Sequence, residues 1–249
     1  GKSHKLPFLK SDFHCDGPLQ LVQVDLWGPA PLISNNSSYY ISFVDVYSRY
    51  TWIYFLSRKS DAHKTVVAFH IMAEKQLNCR LKVLQTDCGF EFRTLHAYFK
   101  QHGVILQHTC PYTFEQNGLV ERKHRHVVEL GLTLMAQASV PFKYWSDAFY
   151  TSVYLINRLP TRVLQGLSPH EKLFNRKPDY SFVRVFCVQC FPLMRPYNQH
   201  KLQYRSKPCV FLGYCSQQHG YKCLSEEGRL YISRHVRFNE ACFPFKENK

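Results

Sequence analysis

The sequence is short of negative charge and has no long apolar run. Its 249 residues hold 18 Asp and Glu against 32 Lys and Arg, a formal net charge of +14. Such an excess favours a polyanionic partner, most often nucleic acid; a globular protein that is merely basic is the plainer alternative. The excess runs along the whole chain, which favours a groove or face over a disordered basic arm. No apolar run approaches the roughly 20 residues of a membrane span, so no membrane partner is expected. The opening Gly1-Lys2-Ser3-His4-Lys5 does not read as a signal peptide. Without an initial Met, the sequence reads as a piece of something longer. It carries no internal repeat and no low-complexity segment. Ten cysteines are many, but a chain that is 45% hydrophobic and 15% aromatic has enough core to fold without staples. The thiols are expected to be reduced, intracellular and mostly buried.

Taken in order, residues 1–14 read as a basic linker. Strands are expected at Leu19–Leu26, Tyr39–Val46 and Tyr50–Leu56, the last two joined as a hairpin by Tyr47-Ser48-Arg49. Ser60 and Asp61 are candidate caps for a helix to about Leu77. A buried strand, Leu81–Thr86, ends at Asp87. A helix near Leu95–His102 and a strand at Val104–Gln107 follow. The loop Thr109–Gln116 leads into a helix running to about Ala138, and Pro141 opens another that ends near Asn157. Residues 161–181 read as a connector. Short strands at Val183–Val188, Lys207–Gly213, Gly220–Leu224 and Leu230–Phe238 then suggest a small barrel over 182–240, with 241–249 as a tail. The expected class is therefore an α/β domain over 15–160 followed by an all-β unit.

The stretch that organises the rest is Pro111–Lys123. Turn formers run into a helix that Asn117 can cap, Gly118 allows a tight turn before it, and Glu121 sits on the first turn. Upstream, Asp25 and Asp87 each stand at a strand end. Each acid has a plain reading. Asp25 can face solvent beside Gln23, Asp87 can cap its own turn through an Asx bond, and Glu121 can answer the helix dipole or pair with Arg125. Jointly, two strand-end Asp residues and a helix-start Glu in a basic α/β domain fit two divalent ions and in-line displacement at a phosphodiester. Asp45 competes less well because Arg49 is a ready partner, Glu91 would stand behind Asp87, and Glu115 is expected to be solvated.

Several ordered motifs resemble the integrase of Copia-type LTR retrotransposons. They are Val24-Asp25-Leu26-Trp27-Gly28-Pro29, Phe43-Val44-Asp45-Val46-Tyr47-Ser48-Arg49-Tyr50, Thr86-Asp87-Cys88-Gly89-Phe90-Glu91-Phe92, and Pro111-Tyr112-Thr113 with Gln116-Asn117-Gly118 and Glu121-Arg122-Lys123. Phe211-Leu212-Gly213-Tyr214 and Gly220-Tyr221-Lys222-Cys223-Leu224 resemble that family's SH3-like β domain, and Gly1–Phe8 is similar to the segment after its zinc module. The resemblance implies an RNase H-like core with Asp25, Asp87 and Glu121 as catalytic metal ligands, 33 residues separating the last two. It implies Mg²⁺ or Mn²⁺ as cofactor, and 3′-end processing and strand transfer of element DNA into target DNA. It also implies a homo-oligomer derived from a Pol polyprotein, in the nucleus and in cytoplasmic virus-like particles.

Departures from the family pattern are Cys88 and Phe90, where Asn and Gly are usual, His124 in place of Asn, and Val188-Gln189 after Cys187. The bulk of Phe90 bears on the turn beside the metal site. Two rivals follow: a catalytically decayed DNA-binding or assembly module, and an RNase H-type hydrolase. Arg122, Lys123 and Arg125, with Tyr112 and Asn117, are the candidate DNA contacts; a solvated helix face is the plain reading of the basic run. Arg195, Lys201, Arg205, Lys207 and Arg234 are weaker candidates. The lone Cys187-Val188-Gln189-Cys190 has zinc spacing, but strand alternation would turn its thiols to opposite faces.

Overall fold

Alternating apolar positions build the first sheet. In a computed structural model, which describes residues 15–87, 89, 92, 94–109, 118–197, 200, 202–215 and 218–247, the strands are β1 (Leu21–Trp27), β2 (Tyr39–Asp45), β3 (Thr51–Leu56), β4 (Val83–Thr86) and β5 (Ile105–His108). Their order is β3-β2-β1-β4-β5. The β1–β2 and β2–β3 pairs are antiparallel, and β1–β4 and β4–β5 are parallel. This is the expected RNase H-like mixed sheet.

Helices cover both faces, so the inner strand β2 is buried almost throughout. On one face α1 (Ala62–Leu77) presents Ala62, Val66, Phe69 and Ala73 at helical spacing to Val22, Val24, Phe43 and Leu84. Phe69 stacks on Phe43 with ring centroids 3.9 Å apart. Burying a large side chain of this kind stabilises by about 1.5–3 kcal/mol. The expected cap differs in detail. A 3₁₀ turn at Lys59–Asp61 precedes α1, and the Asp61 carboxylate accepts from the Arg58 N–H instead of capping α1. The short α2 (His96–His102) buries Phe99 on the same face.

The other face is covered by α3 (Gly118–Gln137) and α4 (Trp145–Ile156). α3 buries Val120, Val127 and Met135, with Val128 and Leu134 partly covered. α4 is buried nearly all round because it packs on two sheets at once. The connector contains a further helix, α5 (Pro169–Phe174), capped by Ser168, whose Oγ accepts from Glu171 N–H.

The second sheet comprises β6 (Gln189–Pro192), β7 (Cys209–Tyr214), β8 (Tyr221–Ser225), β9 (Leu230–Ser233) and β10 (Val236–Asn239), all antiparallel, in the order β10-β6-β7-β8-β9. β9 and β10 are two residues apart in sequence yet lie at opposite ends of this order, so the sheet curls into a small barrel. Three expectations change here. Cys187 takes a left-handed backbone (φ 59), which delays the first strand to Gln189. The single strand expected over Leu230–Phe238 divides at Arg234-His235 so that its second half can cross to β6. The expected tail forms α6 (Pro244–Glu247), and Phe245 packs 5.7 Å from the Tyr144 ring. Gly213 is required where the barrel meets α4: its φ is +97, and a Cβ there would lie 2.3 Å from Thr151 Oγ1.

Asp45 is a structural acid. It is fully buried at the end of β2, and its carboxylate accepts from Leu19 N–H (3.0 Å), Ser48 N–H (2.8 Å) and the Ser48 hydroxyl (2.6 Å). These donors, and no ion pair with Arg49, hold the hairpin turn against the start of β1. Asp45→Ala leaves the donors buried without an acceptor and is expected to cost about 2–5 kcal/mol in urea unfolding, with Asp45→Asn milder. A loss for Asp45→Ala below about 0.5 kcal/mol would contradict this role.

Candidate active site

Asp25 stands on the same face of β1 as Gln23, and that face is only partly open to solvent. Gln23 Nε2 donates to Gln85 Oε1 on β4 (3.0 Å), and Gln23 Oε1 accepts from the backbone N–H of Val120 on α3 (3.2 Å). The first turn of α3 therefore lies across the polar side of β1. Gln23 is buried and Asp25 half-buried, because helix packing covers part of what strand alternation alone would leave exposed.

The consequence is electrostatic. Burial raises the pKa of Asp25 from 3.8 to about 6, and the negative charges of Asp87 and Glu121 push the same way, against one backbone hydrogen bond from Leu26. The three acids thus share one local field. Asp87 follows β4, and its Oδ1 accepts from Gly89 N–H (3.2 Å) and from the Thr86 hydroxyl (3.3 Å). The expected Asx turn is present and fixes this carboxylate at the strand end. Glu121 is exposed on the first turn of α3 and makes no ion pair with Arg125.

Aromatic side chains close one side of Asp25. Tyr40 has its phenol pKa raised by burial and then by the charge of Asp25. Its hydroxyl hydrogen-bonds His124 Nδ1 on α3, and the two rings stack at 5.7 Å. Trp27 lies 5.1 Å from Tyr40 and 5.9 Å from His124. Burial lowers the His124 pKa and so favours a neutral imidazole. The sequence reading did not assign Gln23, Gln85, Tyr40 or Trp27 to this site. The shared parity of Gln23 and Asp25 was the available signal for Gln23.

Three carboxylates whose charges meet at Asp25 are the right donors for a hard divalent cation. Among the described residues, however, no three His, Cys, Asp or Glu side chains converge closely enough to hold a metal ion. The donor chemistry fits, while the ligand cage is not closed in this arrangement. Cys88, Phe90, Glu91, Tyr112, Glu115 and Asn117 lie outside the described residues, as does Lys201.

Of the basic candidates, Arg122 and Arg125 are exposed, whereas burial and then the charge of Arg49 bring the Lys123 pKa down to about 8. In the barrel, Lys207 is paired with Glu227 at 2.8 Å, and Arg195, Arg205 and Arg234 are exposed. Cys187 packs into the core shared with Trp145 and Phe149, while Cys190 packs with Phe211 and Tyr221, so their thiols enter different cores. Four of the eight described cysteines are buried. A cavity of about 550 Å³ between β3, α4 and the barrel is lined by aromatic residues and Arg158, with no carboxylate among the described residues. No described helix is long and apolar enough to cross a membrane.

Residues 16–113 match the integrase core domain family, whose superfamily is that of the polynucleotidyl transferases, and residues 188–249 match the retroviral polymerase SH3-like domain. The chain is 49% identical over 245 residues to the retrovirus-related Pol polyprotein from transposon RE1 of Arabidopsis thaliana, covering 98% of this chain and 17% of that protein. It is 32% identical over 245 residues to the retrovirus-related Pol polyprotein from transposon TNT 1-94 of Nicotiana tabacum, covering 97% of this chain and 18% of that protein. It therefore spans about a sixth of the length of these relatives. Among solved structures, a chain of the simian T-cell lymphotropic virus intasome matches in fold with a TM-score of 0.54 at 15% identity, over 96% of this chain and 84% of that one. With an integrase core domain followed by a retroviral SH3-like domain, the chain belongs to the LTR-retrotransposon integrases.

Proposed function

We propose that this chain is the catalytic and C-terminal part of a Copia-type integrase, acting by 3′-end processing and strand transfer of element DNA into target DNA. The observation that carries this reading is the elevated proton affinity of Asp25, which arises from burial and from the charges of Asp87 and Glu121. A half-buried acid held beside two other acids is costly as it stands and is relieved by a divalent cation.

In this reading Asp25, Asp87 and Glu121 hold Mg²⁺ or Mn²⁺. When bound, the ions polarise the attacking oxygen and stabilise the leaving 3′ oxygen. Asp25 is the member withdrawn from water, Asp87 is set by its turn, and Glu121 is carried by the first turn of α3. Trp27, Tyr40 and His124 exclude water from one side, and a neutral His124 adds no competing cation. Arg122, Lys123 and Arg125, with Tyr112 and Asn117, contact the DNA backbone and ends. The working form is a homo-oligomer released from a Pol polyprotein and acts in virus-like particles and the nucleus.

A second reading is a decayed DNA-binding or assembly module. One observation favours it: no described group of three ligands converges at metal distance. The two readings separate in a cleavage assay on element-end duplexes. Asp25→Asn, Asp87→Asn and Glu121→Gln are each expected to reduce Mg²⁺- or Mn²⁺-dependent cleavage at least about 100-fold while the fold is kept. Wild-type activity in any one removes that residue from the site. DNA binding with no metal-dependent cleavage by the unmutated chain supports the decayed module.

The Asp25 shift also predicts a pH dependence. Its folded pKa lies above its unfolded value, so ionising it disfavours the fold. Stability without metal is therefore expected to fall as pH rises from about 4 to 6, by up to about 3 kcal/mol. Asp25→Asn should remove that slope in urea titrations, and Mg²⁺ at neutral pH should raise the unfolding midpoint of the unmutated chain but not of this variant. An unchanged slope in Asp25→Asn would contradict the assignment.

A further inference from the structure

A cavity of about 250 Å³ lies on another side of α3, bounded by the β2–β3 hairpin tip and the turn after α4. Its polar lining is Arg49, Arg122, Lys123, His126 and Thr161, and among the described residues no carboxylate lines it. Arg122, Lys123 and His126 share one stripe of α3 with Leu119, at i, i+3, i+4 and i+7. At 100° per residue, Glu121 projects roughly 150° away from the centre of that stripe. The cavity and the carboxylates therefore occupy opposite flanks of the helix.

Basic side chains gathered at one cavity, with no acid among its described lining residues, repel one another, and a bound anion offsets that repulsion. Burial disfavours the charged form of Arg49, and Arg122 adds to it. Lys123 is half-buried and lines the cavity with Arg49. Asp45 stands near Arg49, but its oxygens are committed to Leu19 and Ser48. A second, independent observation comes from Thr161. Its hydroxyl Oγ1 is buried, lacks a hydrogen-bond partner, and belongs to a residue lining this cavity. An unmatched buried hydroxyl is costly, and it is a donor of the kind a phosphate oxygen satisfies. Arg49 is delivered by a hairpin tip with a left-handed backbone (φ 61), anchored by its N–H to Asp45 O at 2.8 Å.

We propose that this cavity is a phosphate-binding site, in which Arg49, Arg122, Lys123 and His126 surround the anion and Thr161 donates to one of its oxygens. The phosphate comes from a DNA backbone or from a free phosphate compound. The proposal deepens the nucleic-acid reading of the basic run on α3. It uses none of the three carboxylates, so the two can fail separately.

The test is calorimetric titration of the full chain with sodium pyrophosphate in metal-free buffer, alongside fluorescence anisotropy with a short labelled duplex. Arg49→Gln and Lys123→Gln are expected to weaken pyrophosphate binding about tenfold or more, and Thr161→Val about three- to tenfold. Lys123→Arg, which keeps the charge, should retain most of the affinity and separates loss of the site from loss of folding. Lys75→Gln on α1, which removes one charge elsewhere, should change nothing. Duplex affinity that falls in step with pyrophosphate affinity identifies the DNA backbone as the source. Duplex affinity that stays constant while pyrophosphate weakens identifies a free phosphate compound. No pyrophosphate binding by the unmutated chain, or binding indifferent to Arg49, Lys123 and Thr161, overturns the proposal. Glu121→Gln should leave pyrophosphate binding intact whatever it does to cleavage.

Discussion

The first turn of α3 lying across the polar face of β1 is the contact on which the candidate site depends. The Val120 N–H donates to Gln23, and Gln23 in turn holds Gln85 on the neighbouring strand. This short chain of hydrogen bonds spans β1, β4 and α3, the elements that carry or immediately precede Asp25, Asp87 and Glu121. It has two effects. It registers the helix start against the strand ends, and it partly withdraws Asp25 from water, where the other two charges act on it. A carboxylate in that position is strained electrostatically in isolation and satisfied by a cation, which is the condition a metal-dependent phosphoryl-transfer site requires.

The barrel is tied to this core through α4. Trp145 and Phe149 pack against Tyr40 on one side and share a core with Phe186 and Leu212 on the other. Asp147, nearly buried, accepts from Lys222 of the barrel at 2.9 Å and from Asn35 of the first unit at 2.8 Å. One helix thus carries apolar and ionic links to both sheets, and Gly213 gives β7 the close approach this requires. Tyr40, which adjoins Asp25, belongs to the same core as Leu212 and Leu224 of the barrel. Packing in the barrel therefore bears on the aromatic wall of the candidate site through α4.

Much of this was legible in the sequence because it rests on local patterns. Strand alternation located β1 to β5, and turn residues located the hairpin. The paired strand-end acids and the helix-start acid stood out by joint placement. The β1 face could not be read because its burial comes from a helix nearly 100 residues later in the chain. Asp45 looked like a partner for Arg49 because they are neighbours in sequence, yet backbone and hydroxyl donors compete better inside the fold. The break in Leu230–Phe238 and the left-handed Cys187 follow from barrel closure, which no strand pattern encodes. The basic run on α3 was visible, but its division between a solvated flank and a cavity with Arg49 and Thr161 is tertiary.

The central claim is that Asp25, Asp87 and Glu121 form one metal site. It is tested most directly by anomalous diffraction from crystals soaked in Mn²⁺. The account predicts an anomalous peak between Asp25 and Asp87, with metal–oxygen distances near about 2.1 Å and the Glu121 carboxylate turned toward it. A peak elsewhere, or no peak with Glu121 still directed into solvent, would contradict it.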